Sequence, residues 1–407
     1  MRMGIGVSFA LSVRRFAVAA MCCVLAAGCA TIERVSYTQQ EQIAAVVPGF
    51  PDARVWADDP AIAQKTSALA PTVSKQPTIL ALSGGGADGA FGAGFLSGWT
   101  ARGNRPSFTI VTGASAGALI APFAFLGSGY DEALKSVFAS GEMENFLQFE
   151  GVSGLVGSGL FKTGPLRDLI AKYVDENVLA AVAQQYRAGR KLFIVTTNLD
   201  AQRTAIWDMG RIASSGNPKA LDLFRRVMEA SASIPGIFSP VLIDVEAEGK
   251  SFSEMHVDGG VTANIMVVPE AILLANKAIL PQNVRPRVYI IMNGKLDPYF
   301  EVVKPRTLQI AIRSFETSVR ANTRNTLLAV YEFSKRRNWQ VSLAAIEDSV
   351  PNQTKPGFDT GYMRTLFEYG YERGKSGQLW QASPTEPIER VRERRVAKQQ
   401  PQQQQQQ

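Results

Sequence analysis

Histidine is almost absent from this chain: His256 is the only one in 407 residues. Such scarcity excludes a metal centre built from several imidazoles, and it leaves acid–base chemistry near neutral pH to one ring or to a carboxylate with a shifted pKa. Cysteine is nearly as scarce. Cys22, Cys23 and Cys29 all lie at the N-terminus, so no disulfide can staple the rest of the chain, and stability has to come from an apolar core. A long hydrophobic run is also missing: the stretch from Phe16 to Ala27 falls short of the roughly 20 residues that a spanning helix needs. Charge is sparse, with 19% charged residues and a net charge of +7, which leaves no footprint for binding nucleic acid. The carboxylates show no calcium-loop spacing, so neither metal nor cofactor is expected.

Three short motifs are present instead. Gly84-Gly85-Gly86-Ala87-Asp88-Gly89 follows the apolar strand-like run Thr78 to Leu82 and opens a helical pattern through Phe91, Phe95 and Trp99. A loop of this kind offers successive backbone N–H groups, either to a phosphate or to a developing oxyanion. It lacks the Gly-Lys-Ser/Thr ending and the acidic spacing of a nucleotide site, which favours the oxyanion. Gly113-Ala114-Ser115-Ala116-Gly117 stands between Phe108 to Thr112, rich in β-branched residues, and the apolar run Ala118 to Leu126. Strand, tight turn and helix form the context of a nucleophile elbow. The third motif, Asp258-Gly259-Gly260, is by itself a common turn. It closes the alternating stretch Phe252, Glu254, His256, Asp258, in which His256 and Asp258 share a face. Asp258 could therefore act directly on a serine, or orient His256 as the base of a triad. Side-by-side projection from one strand fits a relay poorly, so a Ser-Asp dyad is the favoured reading, with His256 structural.

The order and wording of these motifs resemble the patatin-like phospholipases, lipid acyl hydrolases with a Ser-Asp dyad. The likeness extends to Thr197-Asn198-Leu199-Asp200 and Ala232-Ser233-Ile234-Pro235, and runs from about Thr78 to Val268, more faintly to Trp380. It implies an α/β fold, a three-layer sandwich around a mostly parallel sheet with a nucleophile elbow. Ser115 would be the nucleophile, Asp258 its partner, and Gly84, Gly85, Gly86 and Gly89 the oxyanion loop. The implied substrate is a phospholipid or another long-chain acyl ester; hydrolysis and acyl transfer would use the same residues. Asp88 departs from the resemblance, since many members carry Arg or Lys there. The alternative function is a non-catalytic envelope lipoprotein that uses the fold for binding or scaffolding.

Arg2, Arg14 and Arg15 ahead of the short apolar run read as a signal peptide. Leu25-Ala26-Ala27-Gly28-Cys29 resembles the lipobox of bacterial lipoproteins, with Leu25 one position early. Cys29 would then be lipidated; an ordinary signal peptide cut nearby is the alternative. The expected location is the bacterial cell envelope, anchored by lipid to the outer membrane and facing the periplasm, because Ala30 is not the aspartate of inner-membrane retention. Removing residues 1–28 lowers the net charge to +4.

The expected organisation is a signal peptide over 1–28, a tether and extension with a cover strand over 29–76, one acyl hydrolase domain over 77–380, and a disordered charged and Gln-rich tail over 381–407. Strand-like runs stand at Leu192 to Thr197, Arg203 to Trp207, Val241 to Val245 and Arg287 to Met292. Helical patterns stand at Pro165 to Val174, Ala220 to Ala232, Val268 to Ala278 and from Pro305 to Lys335. The last reads as a helix with one packed and one solvated face, in preference to a basic membrane-facing surface. Residues 139–164 intersperse Phe146, Phe149, Leu160 and Phe161 with Gly151, Gly154, Gly157 and Gly159, either a cap over an acyl pocket or a loop tucked on the core. Oligomeric state leaves no mark in the sequence.

Overall fold

A computed structural model describes residues 34–62, 76–144, 146, 148, 159–275, 280, 284–353, 357–378, 380 and 381. The expected signal peptide, Cys29, residues 149–158 of the glycine-rich segment and the tail from 382 lie outside the described residues.

In chain order the elements are α1 (Gln39–Ala44), β1 (Arg54–Trp56), β2 (Thr78–Leu82), α2 (Gly89–Ala101), β3 (Ile110–Ala114), α3 (Ala116–Leu126), α4 (Asp131–Ala139) and β4 (Gly159–Phe161). Next come α5 (Gly164–Tyr173), α6 (Glu176–Arg187), β5 (Lys191–Asn198), β6 (Arg203–Asp208), α7 (Met209–Ala213), α8 (Ala220–Ser231), β7 (Gly236–Phe238), β8 (Val241–Ala247) and β9 (Lys250–Asp258). The chain continues with α9 (Gly260–Ala263), α10 (Glu270–Leu273), β10 (Arg287–Met292), α11 (Thr307–Arg336), β11 (Gln340–Ala345) and α12 (Thr360–Ser376).

The main sheet runs β1-β6-β5-β3-β2-β10-β11. From β5 to β11 every neighbouring pair is parallel, and β6 and β1 close one end antiparallel. Strands buried on both faces need continuous apolar runs, and Thr78–Leu82 is buried at every residue. Alternate side chains feed two cores: Leu80 and Leu82 join one with α2, α3, α8 and α12, while Ile79 and Ala81 join another with α10 and α11. Helix, sheet and helix make the expected three-layer α/β sandwich. The helix expected from Val268 to Ala278 is shorter: Pro269 caps α10, which ends at Leu273.

Two features position the site. The helices α2 and α12 meet at reciprocal glycines: a Cβ on Gly94 or Gly98 would lie 2.0 or 1.9 Å from the carbonyl oxygens of Phe367 and Tyr371, and one on Gly370 or Gly374 would lie 2.3 or 2.1 Å from those of Phe91 and Phe95. Backbones this close hold α12 rigidly against α2. The second feature is the β8–β9 hairpin, whose two-residue turn has positive φ at both Glu248 and Gly249, the geometry that matches strand twist. It brings β9 back antiparallel onto β5, with Asp258 opposite Thr196.

Candidate active site

Along one edge of β5 two strands meet end to end. β3 pairs with it up to Ala114 opposite Val195, and β9, arriving from the other direction, pairs from Asp258 opposite the next residue, Thr196. The residues at that junction are Ser115 and Asp258. Sheet register thus brings together two positions 143 residues apart, and the Ser115 hydroxyl donates to Asp258 Oδ2 at 2.6 Å.

Ser115 occupies the turn between β3 and α3 with φ 53° and ψ −125°, a region that costs a residue with a side chain about 1–3 kcal/mol. Its flanking glycines are there for space: a Cβ on Gly113 would lie 2.4 Å from the Gly117 carbonyl oxygen, and one on Gly117 2.3 Å from that of Leu82. The turn is held from outside by Ser231, whose hydroxyl accepts from the Ser115 N–H at 3.1 Å and donates to the Val195 carbonyl at 2.6 Å.

Asp258 is almost wholly enclosed. Burial raises its pKa to about 7, against the opposing hydrogen bonds from Ser115 and from the Gly260 N–H, which donates to Oδ1 at 2.7 Å. Its backbone is fixed as well: its N–H donates to Ser233 O, and its carbonyl accepts from the Thr197 hydroxyl at 3.0 Å.

The Gly84 loop lies against the same serine, since a Cβ on Gly84 would approach Ser115 Oγ to 3.5 Å. Its four glycines are not equivalent. The Gly84 N–H donates to the Asn264 carbonyl at 3.0 Å, and the Gly89 N–H is taken up by the short 3₁₀ turn at Gly86–Asp88. Among the described residues, no acceptor meets the N–H of Gly85 or Gly86. Two asparagines that the sequence did not single out shape this loop. Asn264 holds Gly84 and reaches α11 through Nδ2 to Thr323 Oγ1 at 3.0 Å, while Asn293, just after β10, donates through Nδ2 to Ser83 O and accepts from the Gly92 N–H. A polar residue inside the apolar run Val261 to Met266 was the available signal for Asn264; Asn293 had none.

Asp88 faces away from any anion-binding role. It is half-buried and accepts from the Tyr362 hydroxyl on α12 at 2.6 Å. Desolvation lifts its pKa to about 6, opposed by that hydrogen bond and by Arg320 and Lys295.

His256 is fully buried and meets neither Ser115 nor Asp258. Nδ1 lies 2.9 Å from Thr196 Oγ1 and Nε2 3.1 Å from Glu254 Oε2, which in turn pairs with Arg54. Burial lowers the pKa of His256, so the ring is neutral. A neutral ring that donates from Nε2 to a carboxylate must accept at Nδ1, and Thr196 therefore donates to it while accepting from Trp207 Nε1 at 2.8 Å. Both ring nitrogens are spent on structure. Asn198 and Asp200 are likewise engaged locally, Asn198 with the Ala201 N–H and Asp200 with Arg34, Tyr37 and the Met255 N–H.

Residues 80–272 match the family model described as Patatin-like phospholipase. Among solved structures, the chain is 14% identical to VipD from Legionella pneumophila, over 76% of this chain and 68% of that one, with a TM-score of 0.39. It is 11% identical to the type III effector protein ExoU, over 74% of this chain and 53% of that one, with a TM-score of 0.20. No curated protein was found to match. Over residues 80–272 the chain is thus similar to the patatin-like phospholipases.

Proposed function

We propose that the protein is a serine acyl hydrolase of glycerophospholipids or lysophospholipids, acting through a Ser115–Asp258 dyad and an acyl-enzyme intermediate. The family supports a lipid-cleaving esterase. The observation that carries the finer reading is the 2.6 Å hydrogen bond from Ser115 to a buried carboxylate at the elbow.

Ser115 Oγ attacks the ester carbonyl carbon as its proton passes to Asp258 Oδ2. An aspartate in water is too weak a base for this, but one raised by burial to about 7 is matched to the task. The carbonyl oxygen gains negative charge beside the free N–H groups of Gly85 and Gly86; one such donor contributes about 3 kcal/mol in comparable sites. Collapse of the adduct expels the alcohol, which takes the proton from Asp258. A water then attacks the acyl-enzyme, giving its proton to Asp258, and collapse of that second adduct breaks the bond to Ser115 Oγ, which takes the proton back from Asp258 as the fatty acid is released. Gly84, its amide held by Asn264, lets the loop pack closely against the serine, and Gly89 starts α2 behind it.

The same reading places the enzyme in a bacterial envelope, tethered by lipid at Cys29. Its support is the wording of residues 25–29 and the apolar run before them.

The test pairs a fluorophosphonate probe with a mixed lipid extract, the released acids being identified by mass spectrometry. Wild type should be labelled and release fatty acid; Ser115→Ala should do neither, with a loss of several orders of magnitude. Labelling that persists in Ser115→Ala would remove the nucleophile assignment. A folded wild type that neither labels nor cleaves would move the reading to the non-catalytic lipoprotein.

A further inference from the structure

The helix α11 is longer than the sheet it covers. Its 30 residues span about 45 Å at 1.5 Å per residue, whereas the six-residue strands β10 and β11 span about 20 Å. Its C-terminal half is packed through Thr323, Leu327, Val330 and Phe333. No described residue from 307 to 322 is buried. The direction of overhang follows from the register. Gln340, just after α11, pairs with Arg287 at the start of β10, so the helix ends at the edge of the sheet remote from Ser115. Its middle is tied to the catalytic edge, where Asn322 Nδ2 donates to Thr262 O and Thr323 accepts from Asn264, the residue that holds Gly84. The first half therefore projects beyond the edge that carries the site.

Residues 294–306, leaving β10 at that same edge, are strapped to this arm. Arg320 donates to the carbonyls of Lys295 and Asp297 at 3.0 Å each, and Arg313 to that of Tyr299 at 3.0 Å, with both guanidiniums stacked on the Tyr299 ring. On a segment so fastened, Phe300 is 90% exposed and Val302 78% exposed, with Ile310 of α11 50% exposed. Lys304 and Arg306 stand exposed beside them. The acid between, Glu301, is offset by Arg313 at 3.5 Å.

We infer that this arm is an interfacial docking surface for an anionic lipid bilayer, inserting Phe300 and Val302 among the acyl chains while Lys304 and Arg306 meet the headgroups. Large apolar side chains held out in water by an ordered segment mark an interaction site. Three of them are too few for the buried core of a stable protein interface, whereas shallow insertion flanked by cations is how a peripheral protein holds a membrane surface. The inference rests on the lipid reading above for its occupant, and it explains how the Ser115 edge would face the bilayer.

The test uses the full chain with Cys29→Ala, so that no attached lipid confounds it, and with Ser115→Ala, so that nothing is hydrolysed. Co-sedimentation is measured with vesicles of phosphatidylcholine, with and without phosphatidylglycerol. Phe300→Ser/Val302→Ser should lower binding roughly tenfold or more. Lys304→Gln/Arg306→Gln should lower it roughly fivefold per charge, only on vesicles containing phosphatidylglycerol, and flatten the salt dependence. In a background that keeps Ser115, both double variants should hydrolyse a water-soluble short-chain ester at the parent rate. Equal vesicle binding by parent and both variants, or none by the parent, would overturn the inference. A parent dimer that Phe300→Ser/Val302→Ser dissociates would reassign the surface to self-association and also overturn it. Loss of vesicle binding in a protein that cleaves no ester would uphold the docking surface while the hydrolase reading fell.

Discussion

Replacing Asp258 with asparagine keeps the shape of the side chain and removes its charge. Asn Oδ1 can still accept from the Gly260 N–H, but no oxygen remains that can take the Ser115 proton, so turnover should fall on the order of 10³-fold or more. Stability should move the opposite way. The folded protein holds the Asp258 proton up to about pH 7, whereas the unfolded chain releases it near 3.9. Between those values the folded state binds more protons than the unfolded one, so stability falls as pH rises, by up to about 1.4 kcal/mol per pH unit. Ionising Asp258 by pH 8 thus costs the wild type roughly 4 kcal/mol, an upper figure for a three-unit difference. Asparagine avoids that cost and forfeits part of the hydrogen bond with Ser115, leaving a net gain of about 1–3 kcal/mol. Urea unfolding of both proteins at pH 5 and pH 8 measures it: the variant should gain over wild type as pH rises, while remaining inactive toward a soluble ester. A difference in stability that does not change with pH, or a variant that keeps more than about a tenth of the rate, would refute a buried carboxylate base.

His256→Gln should lose stability, by about 1–3 kcal/mol on thermal or urea unfolding, because Thr196 and Glu254 lose fitted partners; the folded variant should keep the wild-type pH profile and a rate within about tenfold, and loss of a limb near pH 6 to 7 would restore the triad. Tyr362→Phe deletes the hydrogen bond that ties the Gly84 loop to α12 and that lowers the Asp88 pKa. Its kcat should fall about three- to tenfold with little change in KM, and Asp88 should titrate at higher pH, measurable as a shifted carboxyl signal by NMR. Cys29→Ala should release the protein from the membrane fraction without the lipid mass; unchanged fractionation with no acyl-glyceryl group detected would count against the anchor.

Much of the candidate site was legible in the sequence because its geometry is local. Only glycine fits around the elbow at Gly113 and Gly117, so Gly-x-Ser-x-Gly between a β-branched run and an apolar helix marks Ser115 before any fold is known. Buried parallel strands such as Thr78–Leu82 and Arg287–Met292 announce themselves as unbroken apolar runs, and the α/β class follows from their alternation with helices. Side-chain direction was harder to read. Alternation along Phe252 to Asp258 puts His256 and Asp258 on one face, yet one ring can serve either a serine or a buried network, and only packing decides which. The tertiary structure alone sets Asp258 beside Ser115, by letting β3 and β9 share one edge of β5. It alone spends both nitrogens of His256 on Thr196 and Glu254, commits the Gly84 amide to Asn264, and recruits Ser231, Asn293 and Tyr362. Those are contacts between segments far apart in the chain, and a sequence records the preferences of neighbours along the backbone far better than the partners that folding brings across the sheet.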